Sequence, residues 1–218
     1  MIPVQKALPE ATLSRMTGYL RALEAMREVG RSTISSEVLA AAAGVNSAIL
    51  RKDLSLLGTF GTRGVGYRIE VLAETISATL GLERDWRVGI LGAGNLGRAL
   101  AGYAGFREGG FSIQAVFDVA ENIIGDTVAG LTVRPVGELA AATAELGLNM
   151  AVLAVPGPAA QRLCDRVVGA GITNILSFAP VILHVPEGIH IRRVDMAREL
   201  QILAYHAGFG AGRPADPA

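Results

Sequence analysis

Residues 86–97 read Trp-Arg-Val-Gly-Ile-Leu-Gly-Ala-Gly-Asn-Leu-Gly, a short apolar run that ends in three spaced glycines. Few local patterns restrict a fold as much as this one. G-x-G-x-x-G between a strand and a helix fits a βαβ unit. Gly92 makes the tight turn, Gly94 lets a backbone approach a pyrophosphate, and Gly97 lets the helix pack on the sheet. Ala93, Asn95 and Leu96 fill the same loop, and the helix N-terminus offers phosphate its free N–H groups. A second apolar run, Phe111 to Asp118, ends in an acid. It lies about 20 residues past Gly97, the interval expected of a carboxylate that binds ribose hydroxyls. An acid there would repel a 2′-phosphate, so NAD and NADH are the expected ligands.

The strands continue. Met150 to Val155 and Ile172 to Ser177 read as buried parallel strands, each preceded by a helical stretch. Their trailing loops, Pro156-Gly157-Pro158 and Phe178-Ala179-Pro180, belong at the carboxyl edge of an open sheet, where ligands of such folds sit. Val155, Pro156, Phe178 and Ala179 are therefore candidate dinucleotide contacts beside the glycine loop and Asp118.

A long segment precedes this unit, and it has a different pattern. Leu13, Met16, Leu20, Leu23 and Met26 form an apolar stripe at helical spacing, with Gly30 as its stop. Ser35 or Ser36 can cap a short helix through Ala43. Gly44-Val45 is a turn, and Asn46 or Ser47 caps a third helix that runs to Gly58. Helix, short helix, turn, helix is a helix-turn-helix. On the third helix Leu50, Leu54 and Leu57 face inward, while Ala48, Arg51, Lys52 and Ser55 share another face. That face is basic and hydroxylated, and suits phosphates and base edges in a major groove. Residues 59–68 then place three glycines around Arg63, which suits the tip of a basic hairpin, or wing. Ser47, Arg51, Lys52, Ser55, Arg63 and Gly64 are the candidate DNA contacts.

Composition narrows the remaining classes. Half of the 218 residues are hydrophobic and the formal net charge is zero, so attraction to nucleic acid must be local to one patch. The lone Cys164 allows no intramolecular disulfide and suits a core position among Ala160, Leu163, Val167 and Val168. No apolar run is long enough to span a bilayer, and no basic stretch followed by an apolar one opens the chain. A cytoplasmic protein with no membrane partner is expected. No metal-ligand cluster is visible, no lysine follows Lys52, and the three histidines (His184, His190 and His206) fall late in the chain. A hydride-transfer enzyme needs a proton donor or acceptor near the nicotinamide, so no catalytic residue is assigned. The fold expected is α/β. Residues 1–82 would form a winged helix-turn-helix domain and 83–194 a Rossmann NAD(H)-binding domain. A terminal helix would occupy 195–207, capped by Asp195, with a flexible tail at 208–218. The apolar stripe Met196, Leu200 and Leu203 needs a cover, and helix-turn-helix proteins commonly read paired half-sites as dimers.

In these motifs the chain resembles the Rex family of redox-sensing transcriptional repressors, and is most similar to its actinobacterial branch. The resemblance runs from about Leu13 to His206. It rests on Arg51-Lys52-Asp53-Leu54-Ser55, residues 61–67, the Gly92–Gly97 loop, Phe178-Ala179-Pro180 and Val194-Asp195-Met196. It implies a homodimer that binds inverted-repeat double-stranded operator DNA and leaves it when NADH replaces NAD, with the last helix swapped between subunits. It further implies that Asp195 exchanges partners between Arg21 and Tyr103, and that Tyr103 and Asp195 lie near the nicotinamide. The chain departs from the family pattern at Leu56-Leu57, Ala120, Ser177 and Met196. Two rivals are an NAD-dependent oxidoreductase with an N-terminal accessory domain, and a CoA-binding protein.

Overall fold

The structure, a computed structural model, describes residues 8–61 and 65–210. The chain divides into two compact units, Met1–Arg84 and Asp85–Ala218.

The first unit contains α1 (Glu10–Glu28), β1 (Thr33–Ile34), α2 (Ser36–Ala42), α3 (Ser47–Ser55), β2 (Tyr67–Arg68) and α4 (Ile69–Thr79). Helix α1 starts behind Pro9 and stops at Val29, where Gly30 takes a positive φ and Arg31 N–H reaches back to the Met26 carbonyl. Ser35 caps α2 by accepting from Val38 N–H, and Asn46 caps α3 by accepting from Ile49 N–H at 2.8 Å. Ser47 is thus the first helical residue rather than the cap. Helix α3 is also shorter than its spacing predicts. It ends at Ser55 rather than Gly58, because Leu56 and Leu57 N–H close back on the Asp53 and Leu54 carbonyls in a tightened last turn. Met16, Tyr19, Leu20 and Leu23 of α1, Leu39 of α2, Leu50 and Leu54 of α3, and Leu72 and Ile76 of α4 form one core. Each such buried aliphatic side chain contributes about 2 kcal/mol by transfer from water.

Strand β2 pairs antiparallel with β1, Ile34 against Tyr67 and Thr33 against Arg68. The expected hairpin therefore returns onto the α1–α2 connection, a partner that local spacing does not reveal. Gly61 and Gly66 flank its tip with positive φ. The tip itself, with the candidate contacts Arg63 and Gly64, lies outside the described residues.

The second unit holds β3 (Trp86–Leu91), α5 (Asn95–Ala101), α6 (Ala104–Glu108), β4 (Phe111–Asp118), β5 (Thr127–Val128), β6 (Leu131–Pro135), α7 (Leu139–Leu146), β7 (Met150–Leu153), α8 (Gly157–Gly169), β8 (Asn174–Ser177), β9 (His190–Arg193) and α9 (Met196–Gly210). The sheet order is β5-β6-β4-β3-β7-β8-β9, and every neighbouring pair is parallel except β5 with β6. With the short β5 set aside, the parallel strands run 3-2-1-4-5-6 in chain order, the doubly wound dinucleotide-binding arrangement. Strand residues alternate between two layers. Val88, Ile90, Val116 and Val152 pack on one face, while Leu91, Phe117, Ala151 and Leu153 meet α7 and α8 on the other. Cys164 is fully buried in the second layer, beside Leu163 and Val167, and burial raises its thiol pKa.

Strands β7 and β8 are shorter than the apolar runs that predict them. Strand β9 was not expected at all. It is the exposed edge of the sheet and carries little apolar pattern. Helix α9 begins where Asp195 Oδ1 accepts from Arg198 N–H at 3.1 Å. Its Met196, Leu200, Leu203 and Tyr205 side chains are exposed.

Candidate functional site

The strand order reverses direction between β3 and β7, and the carboxyl ends of these two neighbours open a crevice. Gly92 and Gly94 enter it from the loop after β3, and Ala154, Val155 and Pro156 from the loop after β7. Asp118 and Val119 complete a cavity of about 210 Å³. Gly92 has φ +100°, and a Cβ there would press within 2.5 Å of the Ala154 carbonyl oxygen. A Cβ at Gly97 would collide with the Gly92 carbonyl oxygen. Only glycine fits either position. A Cβ at Gly94 would meet nothing within 4 Å, so that backbone faces open space. Gly94 precedes the first turn of α5, whose N–H groups have no side-chain cap. Bare backbone donors at a helix start, beside a backbone that a ligand can approach, suit a pyrophosphate.

The loop is held from outside by two side chains. Asp118 Oδ2 accepts from Ala93 N–H at 2.6 Å, while Oδ1 accepts from Val119 and Ala120 N–H. Arg98 Nε donates to the Ala93 carbonyl at 2.9 Å, and its Nη2 pairs with Asp126 at 2.6 Å. The Ala93 residue is thus clamped on its N–H and on its carbonyl. The spacing of Asp118 predicts a ribose ligand; the structure adds that it orients the phosphate loop. Arg98 directly follows the motif, and Asp126, beyond β4, carries no sequence signal.

Phe178 continues β8, donating its N–H to the Leu153 carbonyl at 2.9 Å. Ala179 is fully buried, and its N–H donates to Ser177 Oγ at 3.3 Å. Ser177 therefore fixes the turn that carries Phe178. Tyr103 lies elsewhere. It is 60% exposed, stacks edge-on against Phe106, and lines a separate hollow with Arg107 and Phe111. The fold of a single chain gathers Gly92, Gly94, Asp118, Val155 and Pro156 into one cleft, with Ala93, Asn95, Leu96 and Gly97 in its loop and helix start. It does not bring Tyr103 into that cavity. Asp195 caps α9, and Arg21 lies exposed on α1. Among the described residues, no group of three or more His, Cys, Asp or Glu side chains could hold a metal ion.

In the first unit, Arg51, Lys52 and Ser55 are exposed on α3, and Ser47 is half-buried at its start. Ser55 Oγ donates to the Lys52 carbonyl at 2.7 Å. Arg51 Nη1 donates to Ser36 Oγ at 3.2 Å and pairs with Glu37 Oε1 at 3.4 Å. Asp53, in the middle of the basic motif, points the other way. It is 2% exposed and accepts from Arg15 Nε at 2.6 Å, Arg15 Nη2 at 2.8 Å, Tyr19 Oη at 2.8 Å and Thr12 Oγ1 at 3.2 Å. The Arg15 guanidinium holds the carboxyl below its usual range, and burial together with the carboxylate pushes the Tyr19 hydroxyl up to about 12. Leu50, Asp53, Leu54 and Leu57 share one helical face, which is the signal that places Asp53 inside.

A family model described as "CoA binding domain" matches residues 83–181, and one described as "Putative DNA-binding protein N-terminus" matches residues 7–55. The redox-sensing transcriptional repressor Rex of Streptomyces coelicolor is 52% identical over 210 residues, which cover 96% of this chain and 81% of that protein. Two crystal structures of the Rex-family repressor RSP superpose over 94% of this chain. The complex with β-NAD+ and operator DNA has a TM-score of 0.88 at 31% identity and 94% coverage of its chain. The complex with β-NADH has a TM-score of 0.83 at 30% identity and 96% coverage. Identity of this order across both units means that the chain belongs to the Rex family of redox-sensing transcriptional repressors.

Proposed function

We propose that this chain is a DNA-binding transcriptional repressor that senses the ratio of NADH to NAD and leaves inverted-repeat operators when NADH occupies its cleft. The observation that carries the reading is the pairing, in one chain, of a doubly wound dinucleotide cleft with a helix-turn-helix unit whose α3 exposes Arg51 and Lys52. Two RSP complexes with the same pairing support it, one holding NAD+ and operator DNA and the other NADH.

Residues 1–82 serve as the DNA-binding domain, with Ser47, Arg51, Lys52, Ser55, Arg63 and Gly64 as contacts. Residues 83–194 bind the dinucleotide. The Gly92–Gly97 loop, Asp118, Val155 and Pro156 supply contacts common to both oxidation states. NAD and NADH differ only at the nicotinamide, which is cationic and planar in one and neutral and puckered in the other. Discrimination therefore falls to groups near that ring, assigned to Tyr103, Phe178, Ala179 and the partner subunit's Asp195. A ligand shifts an equilibrium only through differential affinity for its two states. The switch proposed is Asp195 moving between Arg21 and Tyr103. The exposed apolar side chains of α9 serve homodimerisation; the helix runs to Gly210, past the 195–207 expected, and the rest of the expected tail, 211–218, lies outside the described residues.

Turnover is not part of this function. Asp118, the ionisable side chain lining the single-chain cavity, has its oxygens engaged by three backbone N–H bonds, and Tyr103 and Asp195 are assigned to recognising the ring rather than to proton transfer. No helix among the described residues is long and apolar enough to cross a membrane; the cytoplasmic site of action proposed follows from the operator DNA it would bind. The test is a mobility-shift assay on inverted-repeat DNA selected by the protein itself, titrated with NADH, NAD and CoA. Release by NADH alone supports the reading. Release by CoA would favour the ligand for which the matching family model is named, and steady NADH consumption would favour an oxidoreductase.

A further inference from the structure

Two cations stand side by side on the exposed face of α3, and they are held differently. Lys52 has no acidic partner among the described residues. Arg51 is tethered across the turn to α2: its Nη1 donates to Ser36 Oγ at 3.2 Å and lies 3.4 Å from Glu37 Oε1, while Ser36 Oγ donates to the same Glu37 oxygen at 3.0 Å. Arg51 and Glu37 are exposed and Ser36 is half-buried. An acid on a surface that meets DNA phosphates would weaken binding by repulsion unless it serves another end. The tether supplies one. It occupies one terminal nitrogen of the guanidinium and leaves the Nε–Nη2 edge, two parallel N–H groups, for an outside acceptor pair. That fork matches the O6 and N7 atoms of guanine in a major groove. It also lowers the pair's net charge towards zero, so Arg51 gains little from an isolated phosphate.

We infer that Glu37, with Ser36, is a specificity-determining residue, which restrains Arg51 to read base edges while Lys52 supplies the sequence-independent phosphate contact. This rests on the reading of α3 as the DNA-contacting helix, and it assigns a task to two α2 residues outside that helix.

The test compares full-length parent and Glu37→Gln on two duplexes, an inverted repeat enriched by the parent from a random pool and an unrelated random sequence, across a range of salt. Gln keeps the size of the side chain and removes its charge. Freed Arg51 side chains then seek phosphates. The log–log salt slope on random DNA should steepen by about 2 per dimer, from roughly 0.9 for each added phosphate contact. The ratio of selected to random affinity should fall about 30-fold, since one bidentate base contact is misaligned in each half-site of the dimer. Ser36→Ala, which keeps the charge and loses the bridge, should lower the ratio by a smaller factor with little change in slope. Unchanged thermal midpoints exclude unfolding as the cause. If Glu37→Gln leaves both ratio and slope unchanged, the inference is overturned. It is also overturned if both affinities rise equally, since Glu37 would then act as a repulsive charge alone. Failure of the parent to enrich any duplex would instead overturn the DNA reading, and this inference with it.

Discussion

Asp53 is the residue on which α1 and α3 depend for their relative placement. Three α1 side chains donate four hydrogen bonds to its carboxylate, which is almost fully enclosed. Removing one partner of a buried ion pair costs about 3–5 kcal/mol, because the remaining groups lose their compensation. Arg15 is partly exposed and can regain water, so Asp53→Ala should cost about 3 kcal/mol, at the low end of that range, in urea unfolding. The sign of the pH dependence follows from linkage. The folded carboxyl titrates below its unfolded value of about 4, so its contribution is complete above pH 4 and is lost as pH falls through the folded pKa. Asp53→Ala should flatten the acid limb of the stability profile below pH 4. An unchanged limb would show that other carboxylates carry it. Asp118 makes a second residue-scale case. It holds Ala93 N–H in the glycine loop, and the pyrophosphate this loop is proposed to hold is common to NAD and NADH. Asp118→Ala should therefore weaken both by a similar factor, about tenfold for a lost charge-assisted hydrogen bond. Calorimetric titration that found NADH binding alone impaired would contradict this division between affinity and discrimination.

At the scale of elements, what the sequence reveals depends on whether an element's reason is local. Strand β3 and the glycine loop are legible because apolar run, turn and helix start all lie within a dozen residues. Helices α1 to α3 are legible from spacing and caps. Strand β9 is not: it is an exposed edge strand reading His-Ile-Arg-Arg, defined by its pairing with β8 rather than by burial. The same holds for β1 with β2, which are two residues each and meet across more than thirty positions. The clamp on Ala93 and the partners of Asp53, though not its inward face, are invisible for the same reason, since they converge only after the fold has formed. The limit applies to Tyr103, which sequence resemblance assigns to the nicotinamide. In one chain it lines a separate hollow, so the contact requires a second chain or a bound ligand to complete it. Helix α9 is the element suited to supply that second chain. An amphipathic helix with Met196, Leu200, Leu203 and Tyr205 exposed leaves apolar area that water disfavours. Leu200→Glu with Leu203→Glu should convert a dimer to a monomer in sedimentation velocity and lower operator affinity, since half-site pairing depends on the dimer. The double variant should keep its thermal midpoint in the first unit, because neither side chain belongs to that unit's core. A dimer that survives both substitutions would move the interface off α9.

For the whole molecule the central quantity is a coupling free energy between the dinucleotide cleft and the DNA-binding face. Neither site needs unusual chemistry. The cleft is proposed to bind two ligands that share most of their contacts, and the face proposed to meet DNA carries a tethered arginine beside a lysine on one short helix. Regulation must then reside in the unequal affinity of NADH for the DNA-competent and released arrangements of the dimer. Thermodynamic linkage turns this into a strict numerical demand. If saturating NADH weakens operator binding by a given factor, saturating operator must weaken the binding of the dimer's two NADH molecules by the same overall factor, which is its square root at each of two equivalent clefts. Couplings of this kind commonly amount to about 1–3 kcal/mol, or roughly 5- to 150-fold. The measurement has two arms at one salt concentration and one temperature. Fluorescence anisotropy of labelled operator gives DNA affinity with and without NADH, and titration of NADH fluorescence gives ligand affinity with and without saturating operator. NAD should return a much smaller factor in both arms, because it lacks the neutral, puckered ring that the released state is proposed to favour. Factors related in this way are required of a dimer that binds both ligands without changing its assembly. Factors that are not would require a third species, such as monomer or doubly occupied DNA, and repeating the titration at several protein concentrations identifies which, because monomer gains on dilution and doubly occupied DNA gains as protein concentration rises.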